Sequence, residues 1–228
     1  MKPFAPRLEI LPPAQRKLWN ELSETPREFV LYGGTALALH LGHRHSVDFD
    51  FFGNRAFDAS KIQQEIPFLK GANIIEREKN TLSAVVDRSG PVKVSFFGLP
   101  NLLRLLPPSV AKDNGLAVAS LLDLAGAKAS VVQIRAEPKD YIDIDALITK
   151  GRVDLPLALS AAREIYGSTF NPQITLKALS YFEDGDLHQV PDDVRLRLVT
   201  AVRNVDLDHL PGLDAAILRV NKDYGLEL

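Results

Sequence analysis

Two stretches of this chain hold residues whose types and spacing could do chemistry. The first is LYGGTALALHLGHRHSVDFDFF, residues 31–52. Gly33 and Gly34 close an apolar run and Thr35 follows them; further on, Asp48 and Asp50 alternate with Val47, Phe49 and Phe51. A strand with that alternation buries its apolar face and aims both carboxylates from the other. At a Cβ separation of roughly 7 Å and an effective dielectric near 20, the two charges repel by about 2 kcal/mol, a cost that a cation relieves. The glycine pair, at a strand-to-helix junction, allows close backbone approach to a helix N-terminus, which suits a phosphate. No Gly-Lys-Ser/Thr follows, which excludes a P-loop. Alone, a Gly-Gly pair is a tight turn and Asp-x-Asp is a pair of solvated carboxylates. Joined through Arg44 and Ser46, they place phosphate donors and metal ligands in one small βαβ-like unit.

The second stretch is SLLDLAGAKASVVQIRAEPKDYIDID, residues 120–145. Ser120 and Asp123 match a capping box, opening a helix with Leu121, Leu124 and Val131 toward a core. Lys128 and Arg135 share one face. In the next helix Asp140 and Asp143 lie on one side, with Tyr141, Ile144 and Ile148 on the other. By spacing alone these are two amphipathic helices with solvated charges.

The elements that must carry these residues fall into two halves. Pro12 and Pro13 open a helix with Leu18, Trp19 and Leu22 on one face. Strands are expected over 28–31 and 47–52, separated by a helix over 35–41 and the His43–Ser46 loop. Asp58-Ala59-Ser60 caps a helix that stops near Pro67. Strands follow over 74–76, 82–87 and 92–97, the last two as a hairpin turning at Arg88–Pro91. Pro100, Pro107, Pro108 and Asp113-Asn114-Gly115 mark a boundary. Beyond it helices are expected over 121–134, 138–149, 155–166, 172–182 and 192–204, with a last segment from Leu213.

Composition narrows the classes. The chain has 228 residues, 46% of them hydrophobic, no cysteine and a net charge of −2. That suits an ordinary core, excludes disulfides and thiolate metal sites, and fits a reducing cytoplasm. The N-terminus lacks the apolar run of a secretory signal, and no run approaches a membrane span. The balance of charge is not that of a whole-molecule nucleic-acid binder. His40, His43 and His45 have no partner ligands that would favour zinc, and a phosphate contact by Arg44 or His45 is the better reading. Arg195, Arg197 and Arg203 form a basic helix face, solvated by default, with RNA contact as the minority option. Asp58, Asp184 and Asp186 read as caps and turns, and Trp19, Phe51 and Phe52 as core.

Gly33-Gly34-Thr35 with Asp48-Phe49-Asp50 resembles the signature of the DNA polymerase β-like nucleotidyltransferase superfamily. Within it, GGTALALHLGHRHSVDFDFF is similar to the abortive-infection toxin nucleotidyltransferases of the AbiEii/AbiGii type. Lys128, Arg135, Lys139-Asp140 and Asp143 resemble that family's second block, so the likeness covers roughly residues 28–150. It implies an α+β fold: a polymerase β-like mixed sheet with helices over 1–105, then a mainly helical half over 106–228 completing an active cleft.

It also implies a Mg2+- or Mn2+-dependent transfer of a nucleoside monophosphate from an NTP to an acceptor hydroxyl. Asp48 and Asp50 would hold metal, Gly33, Gly34, Thr35, Arg44, Ser46, Arg135 and Lys139 the phosphates, and Lys128 and Asp143 would be catalytic. A cognate antitoxin partner is implied and, in some members, a tRNA acceptor. One position departs: the strand over 92–97 should bring a third carboxylate, and Ser95 stands there. Asp143 supplies the missing charge, one metal enters only with the nucleotide, or activity is lost. The rivals are a decayed nucleotide- or RNA-binding module, and a transferase acting on a protein or small molecule. If Ser95 faces the cleft, Ser95→Asp leaves folding intact; if Lys128 reaches the triphosphate, Lys128→Ala barely moves the melting temperature.

Overall fold

A computed structural model describes residues 2–214, so the segment expected from Leu213 lies almost wholly outside the described residues. The chain divides into two compact units, Met1–Ser120 and Leu121–Leu228.

The first unit is a mixed eight-stranded sheet with helices. Its strands are β1 (Pro3–Phe4), β2 (Phe29–Tyr32), β3 (Phe49–Gly53), β4 (Asn73–Glu78), β5 (Thr81–Asp87), β6 (Pro91–Gly98), β7 (Ser109–Ala111) and β8 (Ala117–Val118), ordered β1-β7-β8-β2-β3-β6-β5-β4. Its helices are α1 (Pro13–Trp19), α2 (Gly33–Leu41) and α3 (Ala59–Glu65). β7 and β8 pair with each other, β7 with β1 and β8 with β2, so the sheet carries the first unit to Ser120, past the boundary expected at 105.

β3 is central, antiparallel to β2 and parallel to β6. Phe49 and Phe51 are buried on one face. Phe51 stacks on Phe96 at 5.1 Å, Phe29 meets Phe96 edge-on at 5.2 Å, and Trp19 lies 6.4 Å from Phe49. The strand starts two residues later than expected, and Val47 is 50% exposed instead of joining the apolar face. Side chains explain this. Gln15 Nε2 donates to the Val47 carbonyl at 3.1 Å and the Thr35 hydroxyl to the Asp48 carbonyl, so these groups are satisfied outside the ladder. α3 is capped as expected, with Asp58 Oδ1 accepting from the Ser60 and Lys61 amides.

His40 on α2 is buried, bonds the Ala119 carbonyl at 2.9 Å and stacks on Phe4 at 4.3 Å. Burial pushes its pKa from the ordinary 6.5 down to about 4, against the smaller opposing effect of the hydrogen bond. The unfolded chain therefore takes up a proton near pH 6.5 that the folded chain refuses until about pH 4. Stability present above pH 6.5 is lost as pH falls through that window, by roughly 3 kcal/mol in total. Urea midpoints of wild type should fall steadily from pH 6.5 to 4, and those of His40→Gln should fall less.

The second unit is helical: α4 (Leu121–Val131), α5 (Pro138–Thr149), α6 (Leu155–Tyr166), α7 (Pro172–Ala178) and α8 (Asp192–Arg203). α4 packs on α5 and α6, and a Cβ on Gly126 would stand 3.0 Å from the Ala161 carbonyl carbon, which accounts for a glycine within α4. Asn171 and Pro172 open α7 as expected, Asn171 Oδ1 accepting from the Gln173 amide. No helix among the described residues is long and apolar enough to cross a membrane.

Candidate functional site

β2 ends at Tyr32 and α2 begins directly at Gly33, whose φ of +73° is the left-handed conformation that glycine adopts without strain. The N-cap residue Tyr32 gives this first turn no side-chain hydrogen bond. Three side chains converge on the turn. A Cβ on Gly33 would lie 3.1 Å from Asp50 Oδ2. A Cβ on Gly34 would lie 2.2 Å from Arg44 Nη2 and 3.5 Å from Ser46 Oγ. Thr35 Oγ1, whose proton goes to the Asp48 carbonyl, accepts from Ser46 Oγ at 2.7 Å. The bare faces of both glycines are what admit the carboxylate and the guanidinium.

Gly33→Ala should cost about 1–2 kcal/mol through its positive φ alone, and also crowd Asp50. Denaturant unfolding of Gly33→Ala beside Gly34→Ala checks this: the Gly34 variant meets only the far end of a flexible arginine and should lose less stability.

Asp48 and Asp50 are both half-buried, but Asp48 precedes β3, so the spacing assumed for a continuous strand does not hold. The donors here are hard oxygens, carboxylate and hydroxyl, which fit Mg2+ or Mn2+. Among the described residues no group of three or more His, Cys, Asp or Glu could hold a metal ion, so substrate oxygens or water would complete the shell. His45 Nδ1 contacts the Ile10 carbonyl at 3.0 Å, which ties it to the loop before α1.

Ser95 lies where alternation put it, in register with Asp50 across the parallel β3–β6 pair. It is fully buried, however, and its hydroxyl has no hydrogen-bond partner. The expectation that Ser95→Asp leaves folding intact is therefore corrected: the new carboxylate would enter a solvent-free position beside Asp50.

The second block is a cluster within the helical unit, not a set of solvated charges. Lys128 Nζ lies 2.7 Å from Asp140 Oδ1 and 2.6 Å from Asp143 Oδ2, with both carboxylates fully buried and the lysine side chain 7% exposed. Arg135 Nε donates to Asp140 Oδ2 at 2.7 Å. Burial opposes ionisation of Asp140, but the Arg135 hydrogen bond and the Lys128 charge outweigh it and hold the carboxyl below its usual range. Lys139 is exposed and pairs with Glu137 at 2.7 Å. A second link went unread in the sequence: Asp145 holds Arg197 of α8 through bonds of 2.7 and 2.8 Å. Arg197 also bonds Asp193, and Arg195 lies near Asp192, so much of the basic face of α8 is already neutralised, which disfavours an RNA contact there.

The model of the family described as "Nucleotidyl transferase AbiEii toxin, Type IV TA system" matches residues 17–217. The chain belongs to the AbiEii family. It is thus a nucleotidyltransferase, with nucleoside triphosphate as its substrate class, of a toxin family whose type IV systems imply an antitoxin partner. An uncharacterized protein of Aquifex aeolicus (strain VF5) is 35% identical over 159 residues, covering 69% of this chain and 75% of that protein. MenT4, a nucleotidyltransferase toxin from Mycobacterium tuberculosis H37Rv, has a similar fold, with a TM-score of 0.58 at 17% identity over 84% of this chain and 82% of that one. An α+β nucleotidyltransferase fold with a mixed sheet is therefore what this AbiEii member has.

Proposed function

We propose that this AbiEii protein moves a nucleoside monophosphate from an NTP to an acceptor hydroxyl, and that Asp48 and Asp50 hold Mg2+ or Mn2+ against the triphosphate. The observation that carries this reading is the convergence of Asp50, Arg44 and Ser46 on the Gly33-Gly34 turn at the start of α2. The turn supplies backbone amides, Arg44 supplies positive charge, and Thr35 and Ser46 supply hydroxyls to phosphate oxygens. A divalent cation, when bound, would neutralise triphosphate charge and polarise the reacting phosphoryl group.

In the reaction, the acceptor oxygen forms a bond to the α-phosphorus while the bond from that phosphorus to the bridging oxygen breaks and pyrophosphate leaves. The family resemblance alone assigns the hydroxyl proton to Asp143 as general base; that carboxylate is fully buried against Lys128 in the helical unit. The family resemblance gives Lys128, Arg135 and Lys139 parts in handling phosphate charge. A tRNA acceptor is the preferred reading because the resemblance carries it, with protein or small-molecule acceptors as the rival.

Each of the four α-labelled NTPs, incubated with Mg2+ and total RNA or total protein, tests this. Label should move to RNA from one NTP in preference to the others. Label on protein would replace the acceptor, and no transfer with any NTP or acceptor would favour a decayed binding module.

A further inference from the structure

One row of residues runs across the sheet of the first unit in register: Tyr32 on β2, Asp50 on β3, Ser95 on β6, Ser83 on β5 and Glu76 on β4. Neighbouring strands lie roughly 4.7–4.9 Å apart, so residues paired in register on one face are within reach of the next. Ser83 commits its hydroxyl proton outward, donating to Glu76 Oε2 at 3.1 Å. Ser95 is the exception in the row, fully buried with its Oγ unpartnered. A buried hydroxyl left unpaired costs about 1–3 kcal/mol, so its retention here calls for a state in which it is paired.

We infer that Ser95 is a positioning residue for Asp50, its hydroxyl donating to the Asp50 carboxylate when that carboxylate carries a divalent cation. The inference rests on the two-aspartate reading above and adds a residue to it. Ser95 then substitutes orientation for the charge that a third carboxylate would bring. Ligating carboxylates are commonly held in this way by a neighbouring donor, and losing such a donor weakens metal binding by about 10–100-fold.

Mn2+ titration followed by electron paramagnetic resonance, without turnover, is the test. Ser95→Ala should bind Mn2+ about 10-fold more weakly than wild type, while its metal-free melting temperature stays level or rises because the unpaired hydroxyl is gone. Ser95→Thr, which keeps the hydroxyl, should restore affinity. Wild-type affinity in Ser95→Ala overturns the role. Lowered metal-free stability with unchanged affinity would instead assign the hydroxyl to Ser83. If wild type binds no Mn2+, or Asp48→Asn and Asp50→Asn both bind it as wild type does, the two-aspartate site itself fails, and Ser95 with it.

Discussion

Lys128→Ala should unfold far more readily than wild type, with a loss of about 3–5 kcal/mol and a melting temperature lower by roughly 10–15 °C. From sequence, a lysine reaching out to a triphosphate is expected to be dispensable for stability. The structure reverses that: Lys128 Nζ sits between two fully buried carboxylates, at 2.7 and 2.6 Å. Removing the cation leaves Asp143 and Asp140 in a dry interior, with Arg135 still pairing Asp140. The destabilisation comes from uncompensated charge, not from lost hydrophobic contact. Adding Asp140→Asn and Asp143→Asn to Lys128→Met should therefore recover much of the loss, because neutral groups of similar volume carry no such penalty. Calorimetric unfolding of the single and triple variants checks both halves. Equal melting temperatures for Lys128→Ala and wild type would mean that the lysine is not held in the cluster. Activity of Lys128 variants must be read beside these stabilities, since a loss of folded protein imitates a loss of catalysis.

Asp50→Asn should lower nucleotidyl transfer by about 10³-fold or more, a loss of roughly 4 kcal/mol of transition-state stabilisation. Its fold should survive, since Asp50 is half-buried at the strand edge of the glycine turn and asparagine keeps its shape. Steady-state kinetics should show the loss in kcat as well as in KM, because a cation on the phosphates acts most strongly on developing charge. Arg44→Ala is the control of the opposite kind. On the proposed reading it removes a phosphate contact and leaves the metal carboxylates in place, and should raise KM for the NTP more than it lowers kcat.

Where local signals were strong, the chain was legible. Alternating phenylalanines announced β3, the Arg88–Pro91 turn announced the β5–β6 hairpin, and Asp58 and Asn171 announced helix starts, all of which the structure contains. β1, β7 and β8 went unread because strands of two or three residues owe their form to the neighbours they pair with, not to their own pattern. The late start of β3, after Asp48, was hidden for a related reason: it is decided by hydrogen bonds from Thr35 and Gln15, 13 and 32 residues from the carbonyls they reach, which local alternation does not encode.

The glycine turn with Arg44, Ser46 and Asp50 was legible as a set because its members lie within one short stretch. What periodicity could not reveal was burial. Lys128, Asp140 and Asp143 have the spacing of an amphipathic surface, and only the packing of α4 on α5 shows them to be an internal ion cluster. Ser95 likewise had its face set by alternation, while the closure of that face over it depends on neighbours from other strands.

On the proposed reading, Asp48 and Asp50 together hold the cation through which an NTP binds. Isothermal calorimetry of a non-hydrolysable NTP analogue, with and without Mg2+, on wild type, Asp48→Asn and Asp50→Asn tests it most directly. Wild type should bind the analogue tightly only when Mg2+ is present, and each variant should lose that Mg2+-dependent gain while still unfolding as a cooperative protein. Undiminished Mg2+-dependent affinity in both variants would contradict the two-aspartate site.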